Sequence, residues 1–65
     1  MNAPAKLAAY FDSTGIKKSW FAEKRMRVTR STLSAWLAGR SVPPLHTQMQ
    51  IQDATDGAVM VEDWT

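Results

Sequence analysis

Apolar residues recur at helical spacing along most of the 65-residue chain, and this pattern predicts four helices and a short final helical turn. The first helix follows Pro4, a residue that suits a first turn, and covers Lys6–Ser13. Within it, Leu7 and Phe11 lie four residues apart and therefore share one face. Gly15 is placed to end this helix in the left-handed conformation that glycine adopts readily.

Two further helices are predicted in the middle of the chain. The second helix of the chain runs from about Lys17 or Lys18 to about Met26. Trp20 and Phe21 are adjacent aromatic residues, and both cannot be fully buried on one narrow helix face. We therefore expect one of these two rings to be partly exposed.

The third helix has the clearest apolar stripe of the chain. Leu33, Trp36 and Leu37 follow the i, i+3, i+4 spacing of one helix face. Thr29 precedes them and is a good N-cap, because its hydroxyl can accept a hydrogen bond from a free backbone N–H group. Gly39 is predicted to end the helix.

The opposite side of the third helix is small and polar, apart from one long residue, Arg30. Solvated helix faces more commonly carry several long charged side chains. A face of small residues instead fits a helix that is pressed against a flat, polar surface. The members of this face are Arg30, Ser31, Ser34 and Ala35.

A fourth helix and a C-terminal turn complete the predicted elements. The prolines of Ser41–Pro44 keep this connection extended, because a residue before proline avoids the helical conformation. The fourth helix is predicted over about Leu45–Thr55, with the apolar candidates Leu45, Met49, Ile51 and Ala54. Ala58–Val61 is prone to form a β-strand. Glu62–Trp64 is predicted as a last helical turn in which Trp64 folds back on the core.

The composition narrows the classes of protein that are possible. A chain of 65 residues makes one domain, residues 1–65, with little room for a deep catalytic cleft. It has no Cys and one His, which excludes disulfides, zinc–thiolate sites and multi-histidine metal clusters. No set of residues is predicted to join into a catalytic site, so we expect neither an enzyme nor a cofactor. Because no apolar run approaches the about 20 residues that span a bilayer, a cytoplasmic protein without a membrane partner is expected.

The distribution of charge is uneven. Lys17–Arg40 holds seven basic residues and one acidic residue, Glu23, and has a net charge of +6. The rest of the chain holds one basic and five acidic residues, and has a net charge of −4. This polarity favours a positive face for a polyanion, with an acidic remainder turned away from it. An ordinary solvated basic surface is the alternative.

Nearly the whole chain resembles one family of DNA-binding proteins. The helix-turn-helix of Cro/repressor-like regulators is similar to three segments, Gly15–Ala22, Val28–Arg40 and Val42–Pro43. Ile51–Val59, followed by Trp64, is similar to the fourth and fifth helices of small phage Cro-like proteins. The resemblance implies an all-α, compact, lambda-repressor-like domain of four to five helices, with the helix-turn-helix at about residues 17–39.

The resemblance also implies how this chain would contact DNA. Helix three enters the major groove, and its N-terminal residues meet the edges of bases. Arg30 can make a bidentate contact to guanine or, in the alternative, can contact a phosphate without specificity. The implied base-contacting residues are Arg30, Ser31, Ser34 and Ala35. The implied phosphate contacts come from the start of helix two and from the two ends of helix three: Lys17, Lys18, Ser19, Arg27, Thr29, Thr32 and Arg40.

The turn between helices two and three departs from the family pattern. Between Ala22 and Leu33 the chain is one residue longer than the usual motif, and Arg27 stands where the turn usually has glycine. A left-handed Arg27 would cost about 1–2 kcal/mol. Alternatively, the extra residue lets helix two run one residue longer, so that no left-handed residue is needed.

The function that the resemblance implies is sequence-specific regulation of transcription, by a Cro-like phage or prophage repressor that occupies operator DNA in the cytoplasm of a bacterial host. The expected partners are double-stranded DNA and a second copy of the chain, because one module has a small footprint. Without room for an effector domain, no small-molecule ligand is expected. The apolar patch expected to pair two copies comprises Met60, Val61 and Trp64.

A small protein-interaction module of the same fold, such as an antirepressor or a regulatory subunit, is the alternative function. An accessory DNA binder in recombination is a third possibility.

Overall fold

Helices and the loops between them make up the whole architecture, and the expectation of an all-α protein is confirmed. The computed structural model describes all 65 residues and contains no strand. The helices are α1 (Ala3–Thr14), α2 (Lys18–Trp20, continuing as a π-helical turn over Phe21–Arg25), α3 (Arg30–Leu37), α4 (Leu45–Ala54) and a C-terminal 3-10 helix (Val61–Trp64). The molecule measures 25 × 22 × 20 Å along its principal axes. None of its helices has the length and apolar character needed to cross a membrane.

One apolar core joins all of these elements. Phe11 and Phe21 meet edge to face with ring centroids 5.1 Å apart, which fastens α1 to α2. The buried apolar residues are Ala3, Leu7, Phe11, Phe21, Ala22, Met26, Leu33, Trp36, Ile51, Val59 and Trp64. Since every helix contributes at least one of them, the position of each element depends on its neighbours.

The first helix begins three residues earlier than the predicted Lys6, and it ends at Gly15 as predicted. Ala3 is fully buried, so the first turn packs into the core and extends α1 ahead of Lys6. At the other end Gly15 has φ 72°, and its N–H donates to the carbonyl of Phe11. The prediction of a left-handed C-cap at Gly15 is therefore confirmed.

The second helix buries one of its two adjacent aromatic rings. Phe21 is 1% exposed, whereas Trp20 is 51% exposed. This outcome confirms the expectation that a narrow face cannot bury both rings. Trp20 is consequently a large aromatic group on the surface of α2.

A π-helical turn accommodates the extra residue between helices two and three. The N–H of Met26 donates to the carbonyl of Phe21, five residues earlier, at 2.9 Å. A π-helical turn contains more residues than an α-helical one. The wider turn keeps Phe21, Ala22 and Met26 all buried, so the longer segment still presents its apolar side chains to the core.

The turn that follows α2 uses a left-handed residue despite this adjustment. Arg27 has φ 55°, and the N–H of Val28 donates to the carbonyl of Ala22 at 2.8 Å. The alternative that a longer helix would make a left-handed residue unnecessary is therefore wrong. The reason is that the chain must reverse sharply at Arg27 for Val28 to satisfy the carbonyl at the end of the helix.

The third helix is built as its local signals predict. The hydroxyl of Thr29 accepts a hydrogen bond from the N–H of Thr32 at 3.2 Å, so Thr29 is the N-cap. Leu33 and Trp36 are buried, and Gly39, with φ 73°, follows the helix as a left-handed residue. α1 packs against α3 and supports it from the core side.

The fourth helix turns a different face to the core from the one predicted. Of the four apolar candidates, Ile51 is buried and Ala54 is half-buried, but Leu45 is 63% and Met49 58% exposed. Thr47 is buried in their place. Because Thr47 and Ile51 lie one turn apart, they define the inward face, and Leu45 and Met49 lie on the opposite side of the helix.

The C-terminal segment forms turns and a 3-10 helix. Ala58–Val61 does not form the strand that its β-propensity favours, because Val59 is fully buried and its N–H donates to the hydroxyl of Thr55 at 3.2 Å. The predicted last helical turn is confirmed as the 3-10 helix. Trp64 is 4% exposed and packs in the core. It is therefore not available to the pairing patch in which it was expected, whose other members, Met60 and Val61, are half-buried.

Candidate nucleic-acid interface

The outer surface of α3 carries short side chains and one guanidinium group. Arg30, Ser31 and Ser34 are exposed, and Ala35 is half-buried. These are the residues predicted to meet bases. Ser31, Ser34 and Ala35 lie on the side of α3 away from the buried Leu33 and Trp36, and Arg30, one turn before Leu33, lies at the border of that side. The neighbours Ser31, Ser34 and Ala35 have short side chains, so a flat partner could approach the backbone of α3 closely.

A depression of about 530 Å³ lies beside this surface. Residues from three segments line it: Lys18 at the start of α2, Arg40 after α3, and on α3 itself Arg30, Ser31, Leu33, Ser34 and Leu37. Three of these side chains are cationic and none is acidic. The depression therefore has a positive field that favours an anionic partner.

A second depression, of about 590 Å³, lies at the turn between α2 and α3. Its lining residues are Glu23, Arg27, Val28, Thr29, Arg30 and Ser31. Arg30 and Ser31 line both depressions, so they form the ridge between them. The backbone of Arg27 in its left-handed conformation determines where this guanidinium group leaves the turn.

The two threonines at the start of α3 stabilise the turn. Their hydroxyl oxygens lie 2.9 Å apart in a hydrogen bond, in addition to the bond from the N–H of Thr32 to Thr29. Thr29 remains exposed and Thr32 is half-buried. These hydroxyls hold the first turn of α3 in shape, which keeps the adjacent Arg30 and Ser31 at a defined position.

The predicted phosphate contacts divide into two groups. Lys18, Arg27, Thr29 and Arg40 line one of the two depressions. The other three, Lys17, Ser19 and Thr32, line neither depression. Lys17 is exposed at the N-cap of α2 and makes no side-chain cap, and Ser19 is half-buried.

Two basic residues outside this surface have acidic partners. Arg25 reaches across to α4, with its Nη2 3.5 Å from Oδ2 of Asp53. Lys6 on α1 donates to Oδ1 of Asp63 at 2.9 Å. Three cations that make no ion pair, Lys18, Arg30 and Arg40, are grouped at the depression beside α3.

The carboxyl group of Asp63 lies in the C-terminal 3-10 helix. A hydrogen bond from the N–H of Met60, at 2.8 Å, lowers the pKa of Asp63 below its ordinary value. The ammonium group of Lys6 lowers it further. These contacts tie the end of the chain to α1 and stabilise the fold, and they lie outside the surface of α3.

Periodicity alone did not reveal that Leu37 and Glu23 border the candidate surface. Leu37 follows the apolar stripe of α3, yet it is half-buried and lines the larger depression. Glu23 introduces one carboxylate into the second depression. No signal in the linear sequence marks either position, because both depend on how α2 lies against α3.

Comparison of the chain with protein-family models, with curated proteins and with solved structures finds no match.

Proposed function

We propose that this protein is a sequence-specific DNA-binding transcriptional regulator, a Cro-like repressor of a phage or prophage, in which α2 and α3 act as a helix-turn-helix. The observation that supports this best is the ridge of Arg30 and Ser31, which lies between two depressions and near the cations of Lys18, Arg27 and Arg40. Such an arrangement suits one exposed helix in the major groove with phosphates on either side.

The dimensions and chemistry of α3 suit the major groove. Its 8 residues extend about 12 Å, and the groove is about 12 Å wide. Short Ser31 and Ser34 side chains allow the helix to approach base edges, and their hydroxyls can bond to either bases or phosphates. Arg30 is long enough to reach a guanine edge, where its guanidinium fork matches O6 and N7.

The cations around α3 would supply affinity without sequence preference. Lys18 and Arg40 line one depression, and Arg27 lines the other. Contacts of this kind to phosphates position a protein on the duplex, while base contacts specify the site. Repression would follow from occupancy of an operator, which excludes the polymerase.

A pair of subunits is part of the proposal. One module covers few base pairs, and helix-turn-helix dimers place their recognition helices in half-sites about 34–36 Å apart. We expect footprinting to reveal two protected half-sites on one face of the duplex. A single short protected patch with one protein per duplex at saturation would contradict the pairing.

A protein-interaction module is the second candidate function, and the exposed ring of Trp20 favours it. Trp20 is 51% exposed on α2, and tryptophan is enriched at protein–protein interfaces. This surface could bind another protein whether or not α3 binds DNA.

The test of the proposed function is selection of duplexes from a random pool with the purified protein, followed by binding titrations. We expect a consensus sequence to emerge and to bind about 10³-fold or more tightly than a shuffled duplex. Lys18→Ala should weaken binding to both duplexes, whereas the control Lys24→Ala, an exposed lysine outside both depressions, should not. Failure to enrich any sequence, together with equal effects of the two variants, would favour the protein-interaction module.

A further inference from the structure

Glu23 is an exposed carboxylate without a partner in the fold. It is the one acidic residue of Lys17–Arg40, and it lies in the π-helical turn Phe21–Arg25 that ends α2. Its side chain makes no hydrogen bond and no ion pair, in contrast to the carboxylates of Asp53 and Asp63. Because the carboxylate of Glu23 holds no other part of the fold in place, its charge can act on a partner.

The left-handed turn after α2 explains why Glu23 lacks a partner. A glutamate and an arginine four residues later normally pair on one helix face. Arg27 stands four residues after Glu23, but the helical segment ends at Arg25, and Arg27 has φ 55°. A residue in this conformation no longer continues the helix, so its side chain leaves the face that carries Glu23. The two side chains accordingly form no ion pair.

Glu23 and two guanidinium groups meet at the second depression. Arg27 and Arg30 line it together with Glu23, whereas the first depression is lined by three cations and no acidic residue. The two sides of the ridge at Arg30 therefore differ in charge. An anion that enters between Arg27 and Arg30 has to approach the carboxylate of Glu23, and like charges repel each other.

We propose that Glu23 increases the sequence specificity of DNA binding by weakening the binding of phosphate in the second depression. Without this carboxylate, Arg27 and Arg30 could clamp one phosphate between them, a contact that every duplex offers. With it, Arg27 keeps only a weaker phosphate contact, and Arg30 stays free for a base edge. Specificity is a difference of affinities, so opposing a contact that all duplexes share increases it. This inference rests on the proposed function, the binding of DNA through α3.

Glu23→Gln tests this role with the selected duplex and its shuffled control. The substitution keeps the size of an exposed side chain that makes no contact, so the fold should persist, and circular dichroism checks it. We expect the variant to bind the shuffled duplex about threefold or more tightly than the parent does, and to gain less on the selected duplex, so that the ratio of the two affinities falls. The salt slope on the shuffled duplex should also become steeper, by up to about 0.9 for one added phosphate contact.

Glu62→Gln is the matched control, because it changes the net charge of the chain by the same amount. Glu62 is exposed in the C-terminal 3-10 helix and lines neither depression at α3. We expect this variant to leave the ratio of affinities unchanged. Equal gains for the two variants would overturn the role of Glu23, because net charge alone would then act. A loss of affinity for the selected duplex alone in Glu23→Gln would overturn it too, since the carboxylate would then accept a hydrogen bond from a base such as cytosine.

A second background tests the part of Arg27 and separates this inference from the proposed function. In an Arg27→Gln protein the clamp cannot form, so Glu23→Gln should raise affinity for the shuffled duplex by less than about twofold. The full gain in that background would contradict the clamp. If the parent selects a consensus sequence but Glu23→Gln behaves as Glu62→Gln does, this inference alone fails. If the parent enriches no sequence and binds no duplex, the proposed function fails and this inference fails with it.

Discussion

At the scale of single residues, Arg30 and Asp63 have opposite roles. Arg30 is exposed on the ridge of the candidate interface and makes no contact that would stabilise the fold. Asp63 is 9% exposed, and its carboxylate accepts hydrogen bonds from Met60 and Lys6. Substitution of the first should therefore change binding, and substitution of the second should change stability.

Arg30→Ala should weaken specific binding by about 1–3 kcal/mol and relax the preference at one base pair. The physical reason is loss of the one long donor on the outer side of α3. A binding titration against a set of single-base variants of the selected duplex measures both effects. If affinity falls equally for every duplex, Arg30 contacts a phosphate and does not read a base.

The pH dependence of stability should reveal the contacts of Asp63. The hydrogen bond from Met60 and then the charge of Lys6 lower the pKa of Asp63 in the folded protein below its ordinary value of 3.8. The resulting stabilisation is present above that value and is lost as the pH falls through the lower pKa of the folded state. We expect the free energy of unfolding to decrease with acidification in this range, and Asp63→Asn to reduce this slope. Denaturant titrations at several acidic pH values measure it.

Lys6→Gln is the matched variant for this measurement. It removes the ammonium group but leaves the hydrogen bond from the N–H of Met60, which is the largest single cause of the lowered pKa of Asp63. We therefore expect Lys6→Gln to retain more of the acid slope than Asp63→Asn does. An equal loss of slope in the two variants would mean that the ion pair alone sets the pKa.

At the scale of elements, the connection from α2 to α3 combines a π-helical turn with a left-handed arginine. The π-helical turn keeps Met26 buried, and the left-handed Arg27 lets the chain reverse before α3. A side chain in this backbone conformation is strained, and glycine is not. The strain is located beside the candidate interface, where the guanidinium of Arg27 lines the second depression.

Arg27→Gly should therefore change stability and DNA binding in opposite directions. Relief of about 1–2 kcal/mol of left-handed strain is partly offset by the greater freedom of glycine in the unfolded chain, so we expect a gain of about 0.5–1 kcal/mol in the free energy of unfolding. DNA affinity should fall because a cation near the backbone is lost. Chemical denaturation and a binding titration measure the two quantities.

Asp56→Gly is the control for this pair of effects. Asp56 has φ 54°, close to the 55° of Arg27, but it follows α4 and lines neither depression at α3. Its replacement by glycine should also stabilise the fold, by a smaller amount because aspartate tolerates the left-handed region better. DNA affinity should not change. Equal DNA affinities for Arg27→Gly and the parent would remove Arg27 from the candidate interface.

At the scale of the whole molecule, charge is divided between two sides. Lys17–Arg40 has a net charge of +6 and the remainder −4. In the fold one cation of this segment, Arg25, is paired with Asp53 of the remainder, and Lys6 is paired with Asp63 within the remainder. The unpaired cations that remain lie mainly around α2 and α3.

Affinity for DNA should consequently fall steeply with salt. The slope of log affinity against log salt concentration should be about 0.9 per phosphate neutralised. Lys18→Ala and Arg40→Ala should each reduce this slope by about one unit and weaken all duplexes alike. Lys6→Gln should leave the slope unchanged, because Lys6 is paired with Asp63. Salt titrations of these variants on one duplex measure the slopes. If Lys6→Gln reduced the slope as much as Lys18→Ala and Arg40→Ala do, the DNA-binding face would lie elsewhere.

The features that could be predicted from sequence depend on residues close together in the chain. Gly15 and Gly39 adopt left-handed conformations after α1 and α3, and Thr29 caps α3. Each of these features needs only the backbone groups within one helical turn. The inward stripe of α3 could be predicted for a related reason, since Leu33, Trp36 and Leu37 leave a single apolar face.

Tertiary packing decided the features in which local signals were ambiguous. α4 has apolar residues on more than one side, so only contact with the rest of the core buried Ile51 and left Leu45 and Met49 exposed. The β-propensity of Ala58–Val61 was overridden because Val59 is held in the core. The sequence by itself determined the C-terminal end of α1 and both ends of α3, because these depend on hydrogen bonds and glycine conformations within one turn. The exposed face of α4, the depressions beside α3 and the partners of Lys6 and Arg25 depend on residues far apart in the chain, and their burial and distances exist only once the helices pack together.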